Sequence, residues 1–179
     1  MTREQLAHLL RAASSITEER DIVVIGSQAI LGSFPETSLP DEAIGSIEAD
    51  LTFFGPDGEV KADLVDGAIG ELSPFHETHG IYAQGVSRST AIVGEGWQDR
   101  LVRYETASTA PGRGWCLEPH DLVAAKLAAG RSKDHDFARA LLRERLIEPS
   151  VLAERIESLP LDESTRARLK SWVEAQPRN

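Results

Sequence analysis

Two short segments, separated by residues 28–47, constrain this chain more than anything else in it. The apolar run Ile22-Val23-Val24-Ile25 stops at Gly26-Ser27, and Glu48-Ala49-Asp50 opens a second run, Leu51-Thr52-Phe53-Phe54. Runs this short and rich in β-branched or aromatic residues favour buried strands. In an extended strand residues i and i+2 point to the same face, so Glu48 and Asp50 stand side by side. The apolar residues after them call for cover on both faces, which draws the two carboxylates out of water together. Burying adjacent negative charges is costly unless a cation or a proton neutralises them. Mg²⁺ meets that need, since it takes one or two carboxylates, keeps several waters and completes its shell with phosphate oxygens. Gly26-Ser27 at a strand end supplies a seat for phosphate. The first N–H groups of a following helix have no internal partners, and glycine lets an anion approach closely. Each signal alone has a plainer reading: a tight turn for Gly-Ser, and the wet edge of a half-buried strand for Glu-x-Asp. Together they imply nucleotide chemistry.

The 179 residues fit one domain, or one domain with a small helical appendage. A hydrophobic fraction of 41% is enough for a core. No segment approaches the roughly 20 apolar residues that span a bilayer. The opening Met1-Thr2-Arg3-Glu4-Gln5 lacks the pattern of a secretory signal, so a cytoplasmic location is expected. Cys116 is the sole cysteine, which excludes an internal disulfide and a cysteine zinc site. The formal charge of -10 argues against a nonspecific nucleic-acid coat but leaves room for a local basic groove. Arg131, Lys133, Arg139, Arg143 and Arg145 cluster in one region, with Asp134, Asp136 and Glu144 available to pair with them on a solvated helix face.

Thr2 with Gln5 forms a capping box for a helix to about Ser14, with Leu6, Leu9, Leu10 and Ala13 on one face. Asp21–Ile25 and Glu48–Phe54 read as strands. Ser27–Leu31 reads as a brief helix closed by Gly32, followed by a loop carrying Pro35 and Pro40. Gly55-Pro56-Asp57-Gly58 makes a turn, and two glycines leave residues 61–72 ambiguous. Further strands are expected at residues 82–84, 91–93, 101–104 and 115–117. After Pro119 the pattern turns helical: one helix to Gly130, one over residues 133–145, and two starting at Pro149 and Asp162. The order is a mixed sheet first and a helical cap afterwards.

Lys126 falls in a helix otherwise rich in Ala, Leu and Val, where its plain reading is a lysine reaching out to solvent. Arg131 and Lys133 near the first turn of the next helix oppose its dipole, a local misfit that can mark a functional site. His120 and His135 read as capping or surface residues. His76 and His79 fall in a Pro- and Gly-flanked loop, and their spacing is too weak a signal for a zinc site.

With these residues in view, the chain resembles a minimal nucleotidyltransferase of the polymerase-β type. In that superfamily a Gly-Ser at a strand end precedes an acidic-x-acidic pair on the next strand, as in Gly26-Ser27 and Glu48-Ala49-Asp50. The stretch from Leu117 to Asp134 is similar to the C-terminal block of AbiEii and MenT toxin-type nucleotidyltransferases, with a lysine on one helix and an Arg-x-Lys-Asp segment opening the next. The similarity runs from about Ile22 to Leu142 in ordered motifs. It implies an α+β fold, a short mixed sheet flanked by helices, with a nucleotidyltransferase core over residues 1–117 and a helical region over 118–179 that completes the active site. It also implies a metal-dependent enzyme moving a nucleotide from an NTP, CTP or UTP being favoured in some relatives, onto the 3′ end of tRNA as a toxin countered by an antitoxin. Carried across, Gly26 and Ser27 contact phosphate, and Glu48 and Asp50 hold Mg²⁺. Lys126, Arg131 and Lys133 steady the triphosphate, and Asp134 completes the catalytic set. The chain departs from the pattern at Glu48 and in its third carboxylate strand, for which Glu105 is the candidate. The resemblance leaves open a weakly active or inactive regulatory protein, and an enzyme that modifies proteins.

Overall fold

The structure, a computed structural model, describes residues 1–177; residues 178–179, the end of the expected C-terminal region, lie outside the described residues. The expected capping box forms at Thr2 and Gln5 and starts helix α1 (Arg3–Thr17), whose Leu6, Leu9, Leu10 and Ala13 are buried. Glu18 reverses the chain with φ 54° and leads to strand β1 (Asp21–Val24). A 3₁₀ helix (Ser27–Gly32) and a short helix α2 (Asp41–Ile44) lie between β1 and strand β2 (Glu48–Phe53). Helices α3 (Gly58–Ile69) and α4 (Pro74–His79) precede strand β3 (Tyr82–Gly85). Strands β4 (Val102–Tyr104) and β5 (Arg113–Cys116) complete the sheet. Helices α5 (Pro119–Ala129), α6 (Ser132–Arg143), α7 (Pro149–Glu157) and α8 (Glu163–Glu174) follow.

The five strands lie in the order β3-β2-β1-β5-β4. β1 pairs antiparallel with β2 and parallel with β5, β3 runs parallel to β2, and β4 is antiparallel to β5. This is an α+β fold, a short mixed sheet flanked by helices with a helical C-terminal region, consistent with a minimal nucleotidyltransferase fold. β1 is central and Ile22, Val23 and Val24 are fully buried, as its uninterrupted apolar run requires. α5 packs on α6, on α7 and on the 3₁₀ helix after β1. The buried Asp121 of α5 accepts two hydrogen bonds from Arg100, at 2.7 and 2.8 Å, tying the helical region to the loop before β4.

Several local expectations are corrected. Gly32 does not end its helix in a left-handed turn; a side chain there would stand 2.6 Å from Cβ of Cys116, so close packing fixes the glycine. Residues 91–93 form no strand. They are half-buried against the core, after a 3₁₀ turn at Arg88–Thr90, and add nothing to a sheet already edged by β3 and β4. The ambiguous stretch is the helix α3, in which Gly67 faces open space. The segment of His76 and His79 is helical rather than a loop, because Ser73 caps it and Pro74 fits its first turn. His79 joins a ring cluster with His8 and Phe75, at 4.5 Å from each, while His76 lies against Tyr82.

Candidate active site

The β1–β2 pairing builds the acidic wall. Val24 lies opposite Leu51, and the Ile25 N–H donates to the Asp50 carbonyl at 3.1 Å, so the turn after β1 is held against Asp50. The Asp50 carboxylate then rests on Gly26. A Cβ at Gly26 would stand 1.5 Å from Asp50 Oδ2. Sequence reasoning assigned this glycine to anion approach; the structure adds that Asp50 occupies the space a side chain would need. Gly26→Ala should therefore displace the Asp50 carboxylate and lower transfer by about a hundredfold, since a misplacement of about 1 Å at a reacting centre has that effect. Wild-type turnover in Gly26→Ala would show that Asp50 is free to move.

Gly26, Ser27, Glu48 and Asp50 line one side of a cleft of about 720 Å³, and Lys126, Arg131 and Lys133 line the other. Glu48 and Asp50 are partly buried on the same face of β2. Burial, then the charge of Glu48, pushes the Asp50 carboxyl up to about 6, and the positive charges of Lys126 and Arg131 pull the other way. Glu48 Oε2 accepts from Tyr82 Oη at 3.0 Å across the β2–β3 pair, and the Tyr82 hydroxyl is pushed up to about 12 by burial and by that bond. Gln84 is the register partner of Asp50 on β3 and also lines the cleft.

The basic wall depends on a helix break. Gly130, at φ 69°, ends α5 one turn after Lys126, and Arg131 stands at the N-cap position of α6 without a capping hydrogen bond from its side chain. Asp134, in the first turn of α6, is fully buried and collects both cations. It accepts from Lys126 Nζ at 3.2 Å, and from Arg131 Nε at 2.7 Å and Nη2 at 3.2 Å. Burial alone would raise the Asp134 carboxyl; the Arg131 bond and the nearby Lys126 charge outweigh it and hold it below the usual range. Burial lowers the Lys126 ammonium pKa, and Asp134 opposes that shift. Nζ of Lys126 also lies 4.8 Å from the Phe137 ring centre. Asp134 thus offsets the misfit of Arg131 with the α6 dipole.

The sequence-selected residues fall into three groups. Gly26, Ser27, Glu48, Asp50, Lys126, Arg131 and Lys133 are brought to one cleft. Asp134 is brought to the cleft wall but not its surface; it sits behind Lys126 and Arg131. Glu105 is not brought there. It follows β4, with β5 and β1 between that strand and β2, and it pairs with Arg20 at 2.9 Å and with Arg103. The further basic residues are engaged elsewhere: Arg139 pairs with Asp136 at 2.8 Å, and Arg143 with Glu144 at 3.0 Å and Glu42 at 3.6 Å. Lys133 makes no ion pair with a described residue. Tyr82 and Gln84 were missed. Their only sequence signal is a polar alternation about Ala83, and its meaning depends on which strand lies beside β3.

Among the described residues no three His, Cys, Asp or Glu side chains gather as a metal cluster. The Glu48–Asp50 pair nevertheless fits a divalent cation that shares its shell with substrate: two carboxylates on one face, one held away from its charged form by burial and by the other. Residues 4–174 match the family described as nucleotidyltransferase of unknown function (DUF6036), and the chain belongs to that family. No curated protein and no solved structure matches it. No helix among the described residues is long and apolar enough to cross a membrane.

Proposed function

We propose that this nucleotidyltransferase moves a nucleoside monophosphate from an NTP, with CTP or UTP preferred, onto an acceptor hydroxyl with release of pyrophosphate. The acceptor is the 3′ end of tRNA, and the setting is that of an AbiEii/MenT-type toxin in the cytoplasm with a cognate antitoxin. One observation carries the reading. Glu48 and Asp50 share a single cleft with Lys126 and Arg131, and Gly26-Ser27 lines it beside the carboxylates.

Glu48 and Asp50 are the residues that would hold Mg²⁺, which when bound supplies charge neutralisation at the phosphoryl oxygens and eases formation of the attacking alkoxide. The chain's own part is positioning and electrostatics. Ser27 and the Gly26 backbone receive a phosphate beside Asp50, whose carboxylate fills the space a side chain at Gly26 would need. Arg131 and Lys133 hold triphosphate oxygens, and the buried Lys126 adds positive potential at the cleft wall. Asp134 keeps Arg131 and Lys126 in place between turnovers. Tyr82 holds Glu48 in one orientation through its hydroxyl.

Arg131→Ala should weaken NTP binding by about tenfold or more, the size of a charge-assisted hydrogen bond. Calorimetric titration with the NTP checks this, and unchanged affinity would leave Arg131 as a partner of Asp134 alone. The reaction itself is tested by incubating the protein with each α-labelled NTP, Mg²⁺ and total cellular RNA. Label at RNA 3′ ends supports the proposal, and label on a polypeptide would make the protein a protein-modifying transferase. A second reading, a catalytically weak or inactive regulator, is favoured by Gln84, an amide where β3 brings a side chain beside Asp50. NTP binding without any transfer would support it.

A further inference from the structure

We infer that a second cavity, beside the cleft, binds the single-stranded end of a nucleic-acid acceptor, with a base stacked on Trp97 and a phosphate at Arg88. The inference rests on the nucleotidyl-transfer reading of the cleft. The second cavity has a volume of about 730 Å³, the size of small-ligand sites, and it shares Ala91 with the cleft. One loop divides the two. Val86 and Thr90 line the cleft, while Ser87, Arg88 and Ser89 line the second cavity. A strand crossing this lip would place its terminal hydroxyl beside Asp50 and a preceding nucleotide in the second cavity.

The lining has the chemistry of a stacking site. Trp97 is half-buried against the core and contributes to the cavity wall, with Ile92 and Val93 adding apolar surface. Every base has a π-face, so an aromatic platform binds without regard to sequence. Arg88 is exposed and makes no ion pair with a described residue. The acid of this cavity, Glu59, accepts a 2.9 Å hydrogen bond from Ser87 Oγ. By contrast, Arg139 and Arg143 on α6 already hold carboxylates. With a formal charge of -10, the chain cannot hold RNA by general attraction, which makes stacking the main source of affinity.

The test is fluorescence anisotropy of a short single-stranded RNA with a free 3′ hydroxyl, titrated with the native protein, Trp97→Leu, Trp97→Phe and Arg88→Gln. Trp97→Leu should weaken RNA binding by about tenfold or more, and Trp97→Phe by much less. Arg88→Gln should weaken it modestly and reduce the salt dependence by about one counterion. Calorimetric NTP affinity should be unchanged in all three. Should Trp97→Leu fail to fold, Arg88→Gln and its salt slope decide. Native-like RNA binding in the variants, or no RNA binding by the native protein, overturns the inference. So does transfer to a polypeptide that depends on Trp97 and Arg88, which would give the cavity to a peptide. Loss of NTP binding in the native protein would instead remove the reading of the cleft.

Discussion

Asp50→Asn should lose nucleotide transfer by about a thousandfold or more and yet melt at a higher temperature than the native chain at pH 7.5. The loss follows from removing one of two carboxylates in the acidic wall, a deletion at least as severe as loss of one transition-state donor. The stability gain follows from linkage. The Asp50 carboxyl lies at about 6 in the folded chain against an ordinary 3.8. Between those values folding takes up a proton, so stability falls as pH rises through the window, and the full penalty remains above about 6. Two units correspond to on the order of 2–3 kcal/mol, or roughly 5–10 °C in a protein of this size. The gain in Asp50→Asn should accordingly shrink towards pH 4. Added Mn²⁺ should raise the melting temperature of the native chain and leave that of Asp50→Asn unmoved, by mass action on the native state. Scanning calorimetry across pH reads both effects. A variant that melts lower at pH 7.5, with Mn²⁺ raising both proteins alike, would remove Asp50 from the metal assignment.

The same conflict between charge and burial is why the acidic wall was legible in the sequence. Two carboxylates opening an apolar strand break the local rule for buried positions, and such breaks concentrate at functional sites. The strand at 21–25, the helix capped by Thr2 and the helix entered at Pro119 follow from period, caps and breakers that act within a few residues. What the sequence hid depends on pairing at long range. Glu105 ends an apolar-flanked strand and so resembles a third carboxylate; only the strand order shows that β5 and β1 separate it from β2. Tyr82 and Gln84 enter the site because β3 runs parallel to β2 in one register, which no local pattern specifies. Residues 91–93 have strand composition but pair with neither edge strand, β3 nor β4. Asp134 reads in the sequence as completing the catalytic set, and its motif cannot show which way the carboxylate points. It points inward, to the cations, and its expected effect is of a different kind.

Asp134→Ala should be among the most destabilising single changes in the chain, and part of its effect should be recoverable without recovering substrate binding. Asp134 is fully buried and Lys126 nearly so, and the two are joined at 3.2 Å. Removing one partner strands an ammonium beside Phe137 and the small residues of α5, at a cost of about 3–5 kcal/mol. The melting temperature should fall by roughly 10 °C at pH 7.5. The loss should be full while Lys126 stays protonated in the folded variant. It should recede as pH approaches the ordinary lysine value of 10.5, above which neither folded nor unfolded lysine carries charge. Replacing both partners by apolar residues of similar volume, Lys126→Met with Asp134→Leu, should return most of the stability, because a buried ion pair and a packed apolar pair are nearly equivalent once both charges are gone. Arg131 would remain without its anchor, however, and NTP affinity should stay about tenfold or more below native. Thermal melts and NTP titrations on the single and double variants separate the two roles. If the double variant binds NTP as the native chain does, Lys126 and Asp134 serve only the fold. If Asp134→Ala melts with the native chain, the pair does not hold the cleft wall together.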